Sequence, residues 1–151
     1  MTTLQNSSDA IEILLVEDNP GDAELARQAM KDSKIRNNLH HVEDGDAALQ
    51  FLRRLPPYEN APRPGLILLD LNLPGRDGRE VLEEIKTDPS LKSIPVVILT
   101  TSSSDADILK SYELHANCFI TKPIDFNQFV QVTRSIENFW LSIVMLPAES
   151  R

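Results

Sequence analysis

The sequence predicts an α/β fold in which a five-stranded parallel sheet is covered on both faces by five helices. Short apolar segments, among them residues 11–16, 66–70 and 95–99, alternate with amphipathic segments that begin with helix-capping residues. Polar residues barely interrupt these apolar segments, as expected of strands that are buried on both faces. Such alternation builds a parallel sheet with right-handed crossovers, and the 151 residues fit one domain of this kind.

The first half of the chain supplies two strands and two helices. Residues 11–16 form the first strand, and Asn19 followed by Pro20 starts a helix that runs to about Lys31. Residues 38–43 form a more polar second strand, which we expect at an edge of the sheet, and Asp44 begins the second helix. The resulting strand order, 2-1-3-4-5, is that of flavodoxin-like doubly wound folds.

The second half begins with residues 55–64, which contain four prolines and are expected to form a stiff surface loop. The third strand follows at 66–70, and Asp77 with Glu80 forms a capping box that begins the third helix. The remaining predicted elements are a fourth strand over 95–99, a helix that begins at Ser104, a fifth strand over 117–120 and a last helix over about 125–144. In this division residues 1–10 are a disordered lead, 11–145 the folded domain and 146–151 a tail.

Composition limits the classes of function. The net charge of −8 argues against a nucleic-acid interface, which needs clustered lysine and arginine, and suits a site that gathers carboxylates around a cation. The single cysteine, Cys118, excludes an internal disulfide and fits a reducing compartment. Neither a signal peptide nor an apolar run of the ~20 residues that cross a bilayer is visible, so we expect a cytoplasmic protein without a membrane partner.

Chemically specific side chains stand where four of the predicted strands end. They are Glu17 and Asp18 after the first strand, Asp70 at the third, Thr100 after the fourth and Lys122 after the fifth. The carboxyl ends of parallel strands share one edge of the sheet, so these side chains converge there. Grouped carboxylates suit Mg²⁺, and an aspartate beside a metal ion, a lysine and a hydroxyl is equipped to attack phosphorus. Taken singly, each residue could instead be a helix cap or a turn former.

Four motifs resemble those of two-component response regulator receiver domains, and the resemblance extends over residues 11–142. The motifs are Val16–Asn19, Leu69–Pro74, Leu99–Thr100 and Thr121–Pro123. The resemblance implies that Asp70 accepts a phosphoryl group from a sensor histidine kinase. It also implies that Mg²⁺ is held by Glu17, Asp18, Asp70 and the backbone carbonyl of Asn72, with Glu17 acting through water.

The same resemblance assigns roles to three further residues. Lys122 pairs with the phosphoryl group and precedes a cis bond to Pro123. Thr100 swings toward the phosphoryl group, and Phe119 moves into the space that Thr100 vacates, so the two residues form a switch. Phe119 could instead be a static core ring, because it lacks the hydroxyl of the tyrosine that is common at this position.

A narrower resemblance links the chain to the small stand-alone regulators that are paired with cyanobacterial phytochromes. It rests on residues 14–24, the proline-rich loop around Tyr58, and an ending that contains Phe139-Trp140 and Leu146-Pro147. This resemblance implies a phytochrome-type kinase as the partner. After the last predicted helix too few residues remain for an output module, so output is expected from a changed surface or a homodimer. The apolar residues of the last helix, such as Trp140, are either packed core or the face of that dimer.

Two other functions stay open at this stage. One is an aspartate-nucleophile phosphohydrolase of similar topology, which typically carries a second aspartate two residues after the nucleophile, where this chain has Asn72. The other is a receiver-like scaffold that is not phosphorylated. The leading interpretation is a signalling protein and not an enzyme, whose only chemistry is the gain and loss of its own phosphoryl group.

Overall fold

The computed structural model of the protein describes residues 10–32, 36–100 and 118–121, with Thr100 and the last segment described by their backbone alone. The described strands form one sheet in the order β2-β1-β3-β4-β5, and all neighbours are parallel. The strands are β1 (Ile11–Val16), β2 (Asn37–Val42), β3 (Leu66–Asp70), β4 (Val96–Thr100) and β5 (Cys118–Thr121). The flavodoxin-like α/β class is therefore confirmed, and the polar strand β2 lies at an edge as predicted.

Three helices lie in the described part of the chain, and each begins at a predicted position. They are α1 (Pro20–Asp32), α2 (Gly45–Arg53) and α3 (Gly78–Thr87). The side chain of Asp44 accepts a hydrogen bond from the backbone N–H of Ala47 at 2.7 Å, which caps α2. The predicted capping box of Asp77 and Glu80 is present at α3. The helices predicted from Ser104 and over 125–144 lie outside the described residues.

The hydrophobic core lies on both faces of the sheet because successive strand residues point to opposite sides. One layer packs β-strand residues such as Ile13 and Leu15 against the small residues of α1. The other layer packs Leu14 and Val16, together with residues of α2 and α3 such as Leu82, under the second face. Within the described residues, no helix combines the length and apolarity that a bilayer crossing requires.

Strands β1 and β3 have the predicted bounds, whereas the other three strands differ from theirs by one residue. The second strand was predicted over 38–43 and is observed at Asn37–Val42, because its ladder with β1 ends where the Glu17 N–H donates to the Val42 carbonyl at 3.0 Å. The fourth strand starts at Val96 and not at Pro95, which has no N–H to donate to a ladder. The fifth strand is likewise Cys118–Thr121, where 117–120 was predicted.

The start of α3 lies against the carboxyl end of β3, and this contact positions the loop between them. The Gly78 N–H donates to the Leu71 carbonyl at 3.2 Å. A Cβ atom on Gly78 would lie 2.3 Å from the Asp70 carbonyl oxygen and 2.6 Å from Leu71 Cα. Only glycine fits this approach of backbone to backbone.

Candidate functional site

Three carboxylates meet at the carboxyl ends of the neighbouring strands β1 and β3. Glu17, Asp18 and Asp70 each offer an oxygen atom, and these atoms all lie within 4.8 Å of one another. Glu17 and Asp70 are buried, with 0% and 1% of their surface exposed, whereas Asp18 is exposed. The structure thus brings together the three acids that the sequence predicts as metal ligands. A group of this size and composition occurs once among the described residues.

The pairing of β1 with β3 explains why these acids are neighbours. Val16 lies opposite Leu69 in the parallel register, so the residues that follow them, Glu17 and Asp70, reach the same level. The Glu17 N–H still bonds to the Val42 carbonyl of β2, which holds the end of β1 in the sheet. Residues 53 positions apart in the chain are therefore adjacent through register alone.

Electrostatic repulsion between these carboxylates would be relieved by a cation. At an effective dielectric constant near 20, two unit charges 4.8 Å apart repel by about 3.5 kcal/mol. Three carboxylate oxygens at such distances match the hard oxygen ligands that Mg²⁺ and Mn²⁺ take. The donor set therefore fits a hard divalent cation, with Glu17 and Asp70 supplying the buried oxygen atoms and Asp18 the exposed one.

Backbone donors orient two of the three acids. The Asn19 N–H donates to Glu17 Oε2 at 3.1 Å, and the Asn72 N–H donates to Asp70 Oδ1 at 2.9 Å. Each acid is thus held by the residue two positions later, in the turn that leaves its strand. Asn72, the fourth predicted metal residue, stands next to the Asp70 carboxylate by virtue of this turn.

His41 contacts the site from β2 and was not identified from the sequence. Its Nε2 atom lies 2.7 Å from the backbone carbonyl oxygen of Glu17. The two residues are 24 positions apart, and the contact follows from the parallel register in which His41 lies opposite Leu15. The period-two alternation of the strand could have placed His41 on one face, but only the register shows that it reaches Glu17.

Arg76 is a second residue that the sequence analysis missed, and it lies in the loop that follows Asp70. Its Nε atom donates to Asp46 Oδ1 of α2 at 2.8 Å, and its Nη1 atom pairs with the carboxylate of Glu84 in α3. The contacts with both carboxylates raise the pKa of the Arg76 guanidinium, which is charged in any case. Arg76 therefore ties the loop between β3 and α3 to the two helices beside it.

The other predicted site residues are described only in part. Thr100 ends β4, and in the parallel register it lies opposite Thr121, the last residue of β5. Phe119 lies opposite Ile98 in the same ladder. Lys122 and Pro123 lie outside the described residues, as do the side chains of Thr100 and Phe119. Their predicted roles in pairing, switching and the cis bond therefore stay predictions.

Known proteins share both the sequence and the fold. The sequence model of the response regulator receiver domain family matches residues 13–134. Response regulator Rcp1 of Synechocystis sp. is 53% identical over 136 residues, which is 90% of this chain and 92% of that protein.

Two solved structures are similar over most of their length. The Mn²⁺-bound form of response regulator Rcp1 has a TM-score of 0.75 and 51% identity, and covers 89% of this chain and 96% of that chain. The phosphorylated cyanobacterial phytochrome response regulator RcpA has a TM-score of 0.76 and 51% identity, with the same coverage of 89% and 96%. With its acidic cluster at the predicted sheet edge, this chain belongs to the response regulator receiver family of two-component signalling.

Proposed function

We propose that this response regulator accepts a phosphoryl group on Asp70 from a sensor histidine kinase and transmits the signal through a changed surface or a changed dimer. The observation that carries the proposal is the acidic cluster, in which Asp70 is buried, held by the Asn72 N–H and flanked by two further carboxylates. The strand end holds the Asp70 carboxylate in one orientation, as an in-line attack on phosphorus requires.

Phosphoryl transfer to Asp70 exchanges one bond at phosphorus for another. A carboxylate oxygen of Asp70 forms a bond to phosphorus while the bond between phosphorus and the histidine nitrogen of the kinase breaks. The released imidazole nitrogen takes up a proton from solvent, and Asp70 becomes an acyl phosphate. Loss of the phosphoryl group to water restores the carboxylate, so the chain carries a signal and is not an enzyme with a separate substrate.

Glu17, Asp18, Asp70 and the backbone carbonyl of Asn72 are the residues that would hold Mg²⁺. The bound ion would supply positive charge that offsets the phosphoryl oxygens and the repulsion between the acids. This proposal is supported by the 4.8 Å grouping of the carboxylate oxygens and by the Mn²⁺-bound state of the related Rcp1. In the same scheme Lys122 pairs with the phosphoryl group, while Thr100 and Phe119 respond to it as the switch.

The kinase partner that we propose is a phytochrome. Support comes from the similarity to the phosphorylated cyanobacterial phytochrome response regulator RcpA and from the narrower sequence resemblance described above. Transfer from a phosphorylated phytochrome kinase should be faster than transfer from a histidine kinase of another sensory class. Equal transfer rates from both kinases would remove the case for this partner.

Four finer features complete the proposal. We propose five strands alternating with five helices in a domain over residues 11–145, a homodimer formed through the last helix around Trp140, no nucleic-acid partner and a cytoplasmic location. Sedimentation with and without beryllofluoride, which mimics the acyl phosphate, tests the dimer. A monomer in both conditions would contradict it.

Labelling by acetyl phosphate tests the central proposal. We expect a stable, stoichiometric, Mg²⁺-dependent label on the wild-type protein and none on Asp70→Asn. Asp32→Asn is the matched control, because this exposed acid lies at the other end of α1, about 18 Å along the helix from its start, and its label should be normal.

The same experiment separates the two other functions. Absence of label on the wild-type protein would refute the proposal and favour a scaffold that is not phosphorylated. Rapid turnover of many phosphate esters would favour a phosphohydrolase. The residue that disfavours the hydrolase is Asn72, because an amide cannot act as the general acid that a second aspartate provides.

A further inference from the structure

The contact between His41 and Glu17 joins the edge strand β2 to the acidic cluster. The Nε2 atom of His41 lies 2.7 Å from the backbone carbonyl oxygen of Glu17, and His41 is partly buried. A carbonyl oxygen can only accept, so the hydrogen lies on Nε2 and His41 is the donor. At 2.7 Å this is a short and well-formed N–H···O bond.

The position of this bond in the chain gives it a particular effect. The carbonyl of Glu17 belongs to the peptide unit that links Glu17 to Asp18, and a peptide unit is planar. All atoms from Glu17 Cα to Asp18 Cα therefore move together, and a hydrogen bond to the carbonyl oxygen restrains this whole peptide unit. One hydrogen bond thus restrains the backbone of two of the three clustered acids.

Just beyond the end of β1, a side chain of β2 donates to this carbonyl. The backbone ladder continues as far as the Glu17 N–H, which donates to the Val42 carbonyl at 3.0 Å, and β2 ends at Val42. After Glu17 the chain turns toward α1, which begins at Pro20. His41 reaches the Glu17 carbonyl at the point where regular pairing of the two strands stops.

We infer that His41 is a positioning residue that orients Glu17 and Asp18 for a divalent cation. This inference rests on the proposed function of the cluster and adds a residue that touches neither the ion nor the phosphoryl group. Loss of a single hydrogen bond of this kind corresponds to a rise of about 3- to 10-fold in the dissociation constant for the ion. The effect should appear in metal affinity rather than in the rate of labelling at saturating metal.

The dissociation constant for Mn²⁺ can be measured on the full chain by electron paramagnetic resonance, without any labelling reaction. We expect His41→Leu, which removes the donor, to raise the Mn²⁺ dissociation constant. We expect His41→Gln to restore it, because the amide nitrogen of glutamine can occupy the place of Nε2. The side chain of His41→Asn is too short to reach the Glu17 carbonyl oxygen, so this variant should behave like His41→Leu. It keeps a polar residue at this position and so controls for the change in polarity.

His40→Leu is the matched control. His40 is the neighbouring residue of β2, and its Nε2 atom also makes a 2.7 Å contact, with Glu12 near the opposite end of β1. Its loss removes a comparable interaction from the same strand at a distance from the cluster. The control should lower stability, because His40 contacts both Glu12 and Phe51, and leave Mn²⁺ affinity unchanged.

Three results would overturn the inference. An unchanged Mn²⁺ dissociation constant in both His41→Leu and His41→Asn would show that the bond does not orient the acids. An equal loss of affinity in His40→Leu would show a general effect of strand stability. A wild-type chain that binds no Mn²⁺ and takes no label on Asp70 would refute the proposed function itself and the role of His41 with it.

Discussion

Replacement of Gly78 by alanine tests how closely α3 must approach the end of β3. The new Cβ atom would lie 2.3 Å from the Asp70 carbonyl oxygen, so the two backbones must separate by about 1 Å to reach an ordinary contact distance. Forced expansion of a packed site costs about 1–3 kcal/mol, and here both colliding atoms are backbone and cannot rotate away. In a helix interior alanine is favoured over glycine by about 1 kcal/mol. Only a fraction of this gain applies here, because Gly78 is the first residue of the helix.

We expect a net loss of about 2 kcal/mol in the free energy of unfolding for Gly78→Ala. For a chain of this length that corresponds to a Tm lower by about 4–8 °C, measured by circular dichroism. Gly21→Ala is the control, because its Cβ would meet only the side-chain Oδ1 atom of Asn19, at 3.3 Å, and its Tm should change less than that of Gly78→Ala. A Tm for Gly78→Ala equal to that of the wild type would refute the packing argument. Affinity for Mg²⁺ should fall as well, since the displaced carbonyl belongs to Asp70.

Three further predictions concern the site and the pairs around it. Arg76→Met should lower the Tm slightly, and the difference should shrink at high salt, because the lost ion pairs to Asp46 and α3 are partly exposed. Burial raises the pKa of Glu12, but its hydrogen bonds outweigh burial and hold that pKa below its usual value. Glu12→Gln should therefore flatten acid denaturation, since stability that is complete above about pH 5 is lost as the pH falls through the lowered pKa of the folded protein. Asp18→Ala should raise the Mg²⁺ concentration for half-maximal labelling more than Glu17→Ala does, since Asp18 would touch the ion directly.

Each of these predictions has an outcome that contradicts it. A salt-independent change in Tm for Arg76→Met would point to lost packing of its aliphatic part instead of lost ion pairs. The effect of Glu12→Gln should stay below about 1 kcal/mol, because the pair with His40 is partly exposed and screened. An unchanged acid limb in that variant would argue that the contacts of Glu12 with Asn38 and His40 do not form in solution. Equal Mg²⁺ dependence in the two acid variants would mean that both carboxylates contact the ion in the same way.

The elements were predictable because their signals are local. The apolar segment of β3 is buried at every position, and the caps at Asp44 and Asp77 are encoded within three or four residues of sequence. The strand ends were less predictable because a neighbouring strand decides where pairing stops. Glu43 is polar like several residues of β2, yet the strand ends at Val42, and the cap of α2 follows at Asp44.

The acidic cluster was predictable for a different reason. The rule that parallel strands align their carboxyl ends converts three positions in the sequence into one location in space, without knowledge of the exact register. Contacts that depend on register were not predictable in this way. Arg76 reaches Asp46 where Gly45 lets α2 approach closely: a Cβ atom on Gly45 would lie 2.6 Å from Val81 Cγ2 and 3.1 Å from the Arg76 carbonyl oxygen.

His40 and His41 show how much a single position matters in such a site. Side chains of consecutive strand residues point to opposite faces of the sheet, so the two imidazoles are held on different sides of β2. One contacts Glu12 and the ring of Phe51, while the other contacts the carbonyl that joins Glu17 to Asp18. A shift of register by one residue would move each imidazole to the other face of the sheet and break both contacts, which is why composition alone cannot assign them. If His41 orients the cluster as inferred, the metal affinity of this regulator depends on the register of its edge strand as well as on its acidic residues.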